Sequence, residues 1–69
     1  MPENYAEIHA RPGEAVGAFF ARCVEIAKVV DGTVFGTHNG TTIDVGPTTL
    51  PTLAARNWER ARTHVDAGA

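Results

Sequence analysis

The chain has 69 residues, 43% of them hydrophobic and 20% charged, with a single cysteine and a formal net charge of −2. That length allows one domain, residues 1–69, the composition is that of a folded chain, and no apolar run approaches the ~20 residues of a membrane span. Cys23 has no partner for an intrachain disulfide, and a core built from fewer than roughly 70–80 residues rarely supplies more than about 3–5 kcal/mol, so a partner subunit is the expected supplement.

The start, Met1-Pro2-Glu3-Asn4, has neither a basic nor an apolar stretch of the secretory kind. Together with the lone thiol, this leads us to expect a cytoplasmic protein. Residues 5–10 then alternate. Ala6, Ile8 and Ala10 fall on one side, and Tyr5, Glu7 and His9 on the other, which predicts a half-buried strand. The three-residue spacing of Tyr5 and Ile8 keeps a short helix as the alternative.

Arg11-Pro12-Gly13-Glu14 is punctuation. Proline suits a first helical turn because its missing amide would be unpaired there anyway, and Glu14 would then sit where the helix dipole favours an anion. From Gly13 to about Val30 the spacing is helical. Val16, Phe19, Phe20, Cys23, Ala27 and Val30 make an apolar stripe, widened by Val24 and Ile26. Glu14, Arg22, Glu25 and Lys28 lie opposite, and Val29 points to the same polar side. At Asp31-Gly32 the glycine is expected to take the left-handed conformation that ends the helix.

Two alternating segments, Thr33–His38 and Thr41–Gly46, flank Asn39-Gly40. This dipeptide suits a type I′ turn, whose two central residues need positive φ. Such a turn sets His38 opposite Thr41, Gly36 opposite Ile43 and Val34 opposite Val45. Val34, Ile43 and Val45 then face a helix, while Thr33, Phe35, Thr37, Thr42 and Asp44 face away. Gly36 leaves room for a helix side chain. After the turn-rich Gly46–Pro51 connection, a second helix is predicted from Pro51 or Thr52 to about His64. Its apolar stripe is Leu50, Leu53, Ala54, Trp58, Ala61 and Val65, with Asn57 and His64 in the same sector. Residues 66–69 are expected to fray. The predicted fold is α+β in the order β-α-β-β-α: a small antiparallel hairpin, with the first strand able to make it a three-stranded sheet through a right-handed crossover, packed on a long amphipathic helix and a C-terminal helix.

The catalytic chemistries find little support. The chain contains no serine. Its histidines, His9, His38 and His64, do not fall at metal-ligand spacings. Cys23 sits mid-stripe, where a buried, unreactive thiol is expected, against the alternative of a Cys23–His64 pair. Asp44 stands alone unless the first strand brings Glu7 beside it. The glycines form no phosphate-binding motif. We therefore expect no catalytic residue, no metal and no cofactor. Arg56, Arg60 and Arg62 give the second helix local positive charge. In an acidic chain these read as a solvated flank, and Trp58 reads as a core anchor, so nucleic acid is not the expected partner.

Val29, Phe35, Asn57 and Trp58 are hard to satisfy in so small a monomer. A polar Asn57 on an apolar helix face is costly unless bonded, and such residues set register in helical interfaces. With Arg56 and Arg60 they make the expected interface of a homo-oligomer, most simply a dimer, joined by the second helices, by the outer hairpin face bearing Phe35, or by strand-edge pairing.

The segment EAVGAFFARCVEIAKVVDGTVFGTHNGTTIDV resembles small orphan accessory proteins of actinobacterial phages and prophages. Phe20, Ile26, Ala27, Val34, Phe35, Asn39, Gly40 and Val45 carry the likeness, which covers the middle half of the chain. The resemblance implies an accessory protein that binds a bacterial host component in the host cytoplasm, and it transfers no catalytic residue. The expected function is thus a non-enzymatic protein–protein interaction module acting as a homo-oligomer. The alternatives are a small-ligand or nucleotide binder with an intersubunit pocket lined by arginine and threonine, and a nucleic-acid-associated regulator using the C-terminal helix.

Overall fold

The structure, a computed structural model, describes the backbone of residues 4–68 and the side chains of residues 4–63. Its elements are β1 (Tyr5–His9), α1 (Val16–Val30), β2 (Thr33–His38), β3 (Thr41–Val45) and α2 (Pro51–Gly68). The order β-α-β-β-α is the one expected. The strands make one open sheet in the order β1-β2-β3. β1 runs parallel to β2, Tyr5 beside Thr33 through His9 beside Thr37. Parallel neighbours need a crossover, and α1 supplies it. Tyr5–His9 is therefore a strand, Ala10 lies just past it, and the short-helix alternative is discarded.

The hairpin follows from its turn. Asn39 and Gly40 both take positive φ, 52° and 82°, as a type I′ turn demands. The register places His38 opposite Thr41, Gly36 opposite Ile43 and Val34 opposite Val45. The core forms where the inner face of the sheet meets α1 and the buried face of α2: Phe19, Phe20, Cys23, Val24, Ala27, Val34, Val45, Ala54 and Trp58. Its density shows at Gly36. A Cβ there would stand 2.8 Å from Cys23 Sγ and 3.1 Å from the Phe19 ring. The strand can pass this close to the helix only without a side chain.

Four local expectations are corrected. α1 begins at Val16 and not at Gly13, because Arg11–Glu14 is a separate turn. Glu14 N–H donates to Arg11 O at 3.0 Å and Gly13 has φ 80°. This is the Pro-Gly turn in which glycine supplies the positive φ, so Pro12 and Glu14 lie outside the helix. At the other end of α1 the left-handed residue is Asp31, with φ 55°, and not Gly32. The short polar side chain of aspartate tolerates that conformation. Gly32 has a different task. The Thr33 amide donates to Asn4 O at 3.0 Å, and a Cβ on Gly32 would run into the Asn4 backbone. Finally, α2 continues to Gly68, past the expected end near His64. The side chains of His64 and Val65, and Ala69 altogether, lie outside the described residues.

Candidate interaction surfaces

Both helices pack on one side of the sheet. α1 covers β1 and β2, and α2 packs on β3 and on α1. The other side carries no layer among the described residues. It presents Tyr5, Glu7 and His9 from β1, Thr33, Phe35 and Thr37 from β2, and Thr42 and Asp44 from β3. Phe35 is 38% exposed and Tyr5 62%. Their rings meet edge-on with centroids 6.0 Å apart, a geometry aromatic pairs favour. Thr37 and Thr42 share a hydroxyl hydrogen bond of 2.7 Å beside them. The sheet brings Glu7, Phe35 and Asp44 into one row. The backbones of Glu7 and Asp44 are thus two strand spacings apart, about 10 Å, with Phe35 on the strand between them.

The expected interface residues divide between several places. Val29 is 85% exposed on α1, on the polar side as expected. Trp58 is not left over. It is buried against the hairpin, and its indole N–H donates to His38 O at 2.8 Å. Asn57 was expected among apolar neighbours, but it is exposed on α2. At 100° per residue it shares a flank with Leu50 and Leu53, which are also exposed. The reason for both outcomes is the same. The helix is rotated so that Ala54 and Trp58 define the buried line, which turns the leucine end of the predicted stripe out of the core. Arg56 and Arg60 line a shallow groove with Thr52, Thr63, Glu59 and Ala55, closed on one side by Val16 of α1. Arg62 lies over the Trp58 ring at 5.4 Å.

The remaining reactive groups are structural in their geometry. Cys23 is fully buried, and desolvation pushes its thiol up to about 11. A thiolate needs the opposite environment. The proposed partner atom on His64 lies outside the described residues. Glu14 is held by Arg22, whose Nε and Nη2 donate to its two carboxylate oxygens at 3.1 and 3.0 Å, and by the Arg11 amide at 3.0 Å. These bonds, the Arg22 ones foremost, hold the carboxyl at about 2.

His38, placed by the hairpin register opposite Thr41, turns to the helix side of the sheet. In the structure its Nε2 bonds Glu14 O at 2.7 Å and its ring lies 5.1 Å from Trp58 and 5.7 Å from Phe19. The acceptor is a carbonyl, so Nε2 carries the proton. The signal was present: His38 follows Val34 and Gly36 at a period of two, so it shares their inward face.

Comparison of the chain with protein-family models, with curated proteins and with solved structures found no match in any of the three. Its surfaces therefore have to be read from their own chemistry. No helix among the described residues is long and apolar enough to cross a membrane.

Proposed function

We propose that the protein is a non-enzymatic protein–protein interaction module that works as a homo-oligomer. The observation that carries this reading is the open face of the sheet, where Tyr5 and Phe35 pair in solvent beside the Glu7–Phe35–Asp44 row. A monomer of this size has few large apolar side chains, and among the described residues five of them are exposed: Tyr5, Val29, Phe35, Leu50 and Leu53. Aromatic residues in such settings are the usual anchors of interfaces. On the reading that the phage resemblance implies, the partner beyond the chain itself is a bacterial host protein. Sedimentation over a concentration series tests the oligomer, with association at high micromolar chain as the expected result. A monomer at every concentration overturns it.

The groove on α2 favours a second reading, a small anionic ligand or nucleotide held by Arg56 and Arg60 with Thr52 and Thr63. A thermal-shift screen against nucleotides separates the two. A stabilisation lost in Arg56→Ala/Arg60→Ala supports the ligand reading. The nucleic-acid reading is weaker, because Trp58, the aromatic nearest the arginines, is buried and cannot stack on a base.

A further inference from the structure

We infer that the homo-oligomer is a two-fold dimer in which β3 pairs antiparallel with β3 of a second copy, Thr42 opposite the second copy's Asp44, beneath the Leu50–Leu53–Asn57 flanks of the two α2 helices. The inference rests on the homo-oligomer reading above and assigns the self-association to the β3 edge, which leaves the open face with Tyr5 and Phe35 to the partner beyond the chain itself.

The placement comes from three observations. First, β3 is an edge strand, paired only with β2. In a two-residue hairpin the residues that close the turn exchange both backbone hydrogen bonds, and bonded pairs then alternate along the ladder. His38–Thr41, Gly36–Ile43 and Val34–Val45 are the bonded pairs of this register. The amides and carbonyls of Thr42 and Asp44 consequently point to the free edge, and no described backbone group bonds them there. Such an edge is a template for another strand.

Second, the helix beside this edge carries the unburied leucines. α2 lies on β3 and against α1, and α1 touches it on the side of Ala55 and Glu59, where Val16 closes the groove. Leu53 and Asn57 are on the opposite flank, with Leu50 just before the helix; because α2 lies on β3 and against α1, that flank is the one turned toward the free edge. Leu50 is 64% exposed and Leu53 46%. The other sheet edge, β1, has no such companion: of the large apolar side chains described on α1, the helix above it, only Val29 is exposed.

Third, one register satisfies the edge. If the two-fold axis passes beside Ile43, Thr42 meets Asp44 of the second copy and Asp44 meets its Thr42, so all four outward-pointing residues form bonded pairs. Ile43, only half-buried in the single chain, then meets its own copy on the inner side, under the helices. A register centred on Asp44 would instead set two carboxylates face to face, which is unfavourable. The sheet becomes six-stranded, and a contact of this kind is self-complementary and closed.

The test combines charge and cross-linking on the full chain. Thr42→Lys sets a cation beside Asp44 of the second copy, and Thr42→Asp sets a like charge there. Both lose the same hydroxyl bond to Thr37, and the charge each sets near Asp44 of its own chain is present in monomer and dimer alike, so only a contact across the two copies separates their dimer constants. Two cross-strand pairs form per dimer, so the dimer constant should rise about threefold with lysine and fall about fivefold with aspartate. Residues at a non-bonded antiparallel pair lie about 4.5 Å apart at Cα, within disulfide range. Oxidised Ile43→Cys should therefore run as a covalent dimer, and Phe35→Cys, on the other face, should not. Circular dichroism confirms that each variant is folded. An associating chain in which the two Thr42 variants behave alike and Ile43→Cys stays uncross-linked overturns this pairing and leaves the homo-oligomer standing. A wild-type chain that is monomeric at every concentration overturns both.

Discussion

Gly36 and Cys23 are two halves of one contact, and each limits the other. Because the space above Gly36 is filled by Cys23 Sγ and the Phe19 ring, Gly36→Ala overpacks the centre of the core. Overpacking of this kind costs typically about 1–3 kcal/mol, and a lower denaturant midpoint with an unchanged slope is the expected readout. The same burial that lifts the Cys23 thiol to about 11 shields it, so a thiol reagent should label it only as fast as the chain unfolds. Rapid labelling of the native protein would contradict the packing described. Glu14 sets a pH dependence of known sign. Its folded carboxyl titrates near 2 against an ordinary 4.5, so the stabilisation from Arg22 and the Arg11 amide is whole above about pH 4.5 and is lost as pH falls toward 2. Denaturation midpoints at pH 7 and pH 3 should therefore draw together in Glu14→Gln.

At the scale of elements, the parts that were legible in the sequence are those fixed by local chemistry. The hairpin was readable to the residue because Asn39-Gly40 allows one turn type, and that turn fixes every opposite pair along β2 and β3. The α1 stripe was readable because its apolar residues recur at three and four. The rotation of α2 was not readable. Its stripe from Leu50 to Trp58 is wide enough to seat in more than one way, and the choice is made by a distant partner, the His38 carbonyl that receives the Trp58 indole proton. The α1–β2 connection was misread for a similar reason. Both Asp31 and Gly32 suit a left-handed residue, and only the Asn4 backbone, far off in sequence, requires the second of them to lack a side chain. Gly32→Ala should accordingly loosen the start of β1 and lower the melting temperature. Amide exchange should show the protection lost at Thr33 and in β1 more than in the hairpin, because the Thr33–Asn4 bond is the one displaced.

For the whole molecule, the two faces of the sheet differ in burial: one lies packed under the helices and the other is open. Phe19 is fully buried between α1 and the sheet, and Phe19→Ala removes a ring from a packed interior, a change that costs about 3–5 kcal/mol. Phe35 lies on the open face, where Phe35→Thr keeps strand propensity and forfeits chiefly the Tyr5 contact, about 0.5–1.5 kcal/mol. Urea melts of the two variants should differ accordingly, and only Phe35→Thr should remain folded while losing whatever partner the open face holds. The candidate surfaces were half visible beforehand: Phe35 and Val29 could be placed outside by periodicity alone, whereas Asn57 and Trp58 needed the helix rotation to be told apart.

The parallel pairing of β1 with β2 has a consequence for how the chain is made. Each β1 residue finds its neighbour a constant 28 positions later, Tyr5 beside Thr33 and His9 beside Thr37. During synthesis β1 therefore emerges first and waits, through the whole of α1, for the strand it will lie against. The hairpin, by contrast, closes over a two-residue loop and needs only its own length. Of the three strands, the one made first must close the longest loop, so loop-closure entropy sets its pairing behind that of the hairpin.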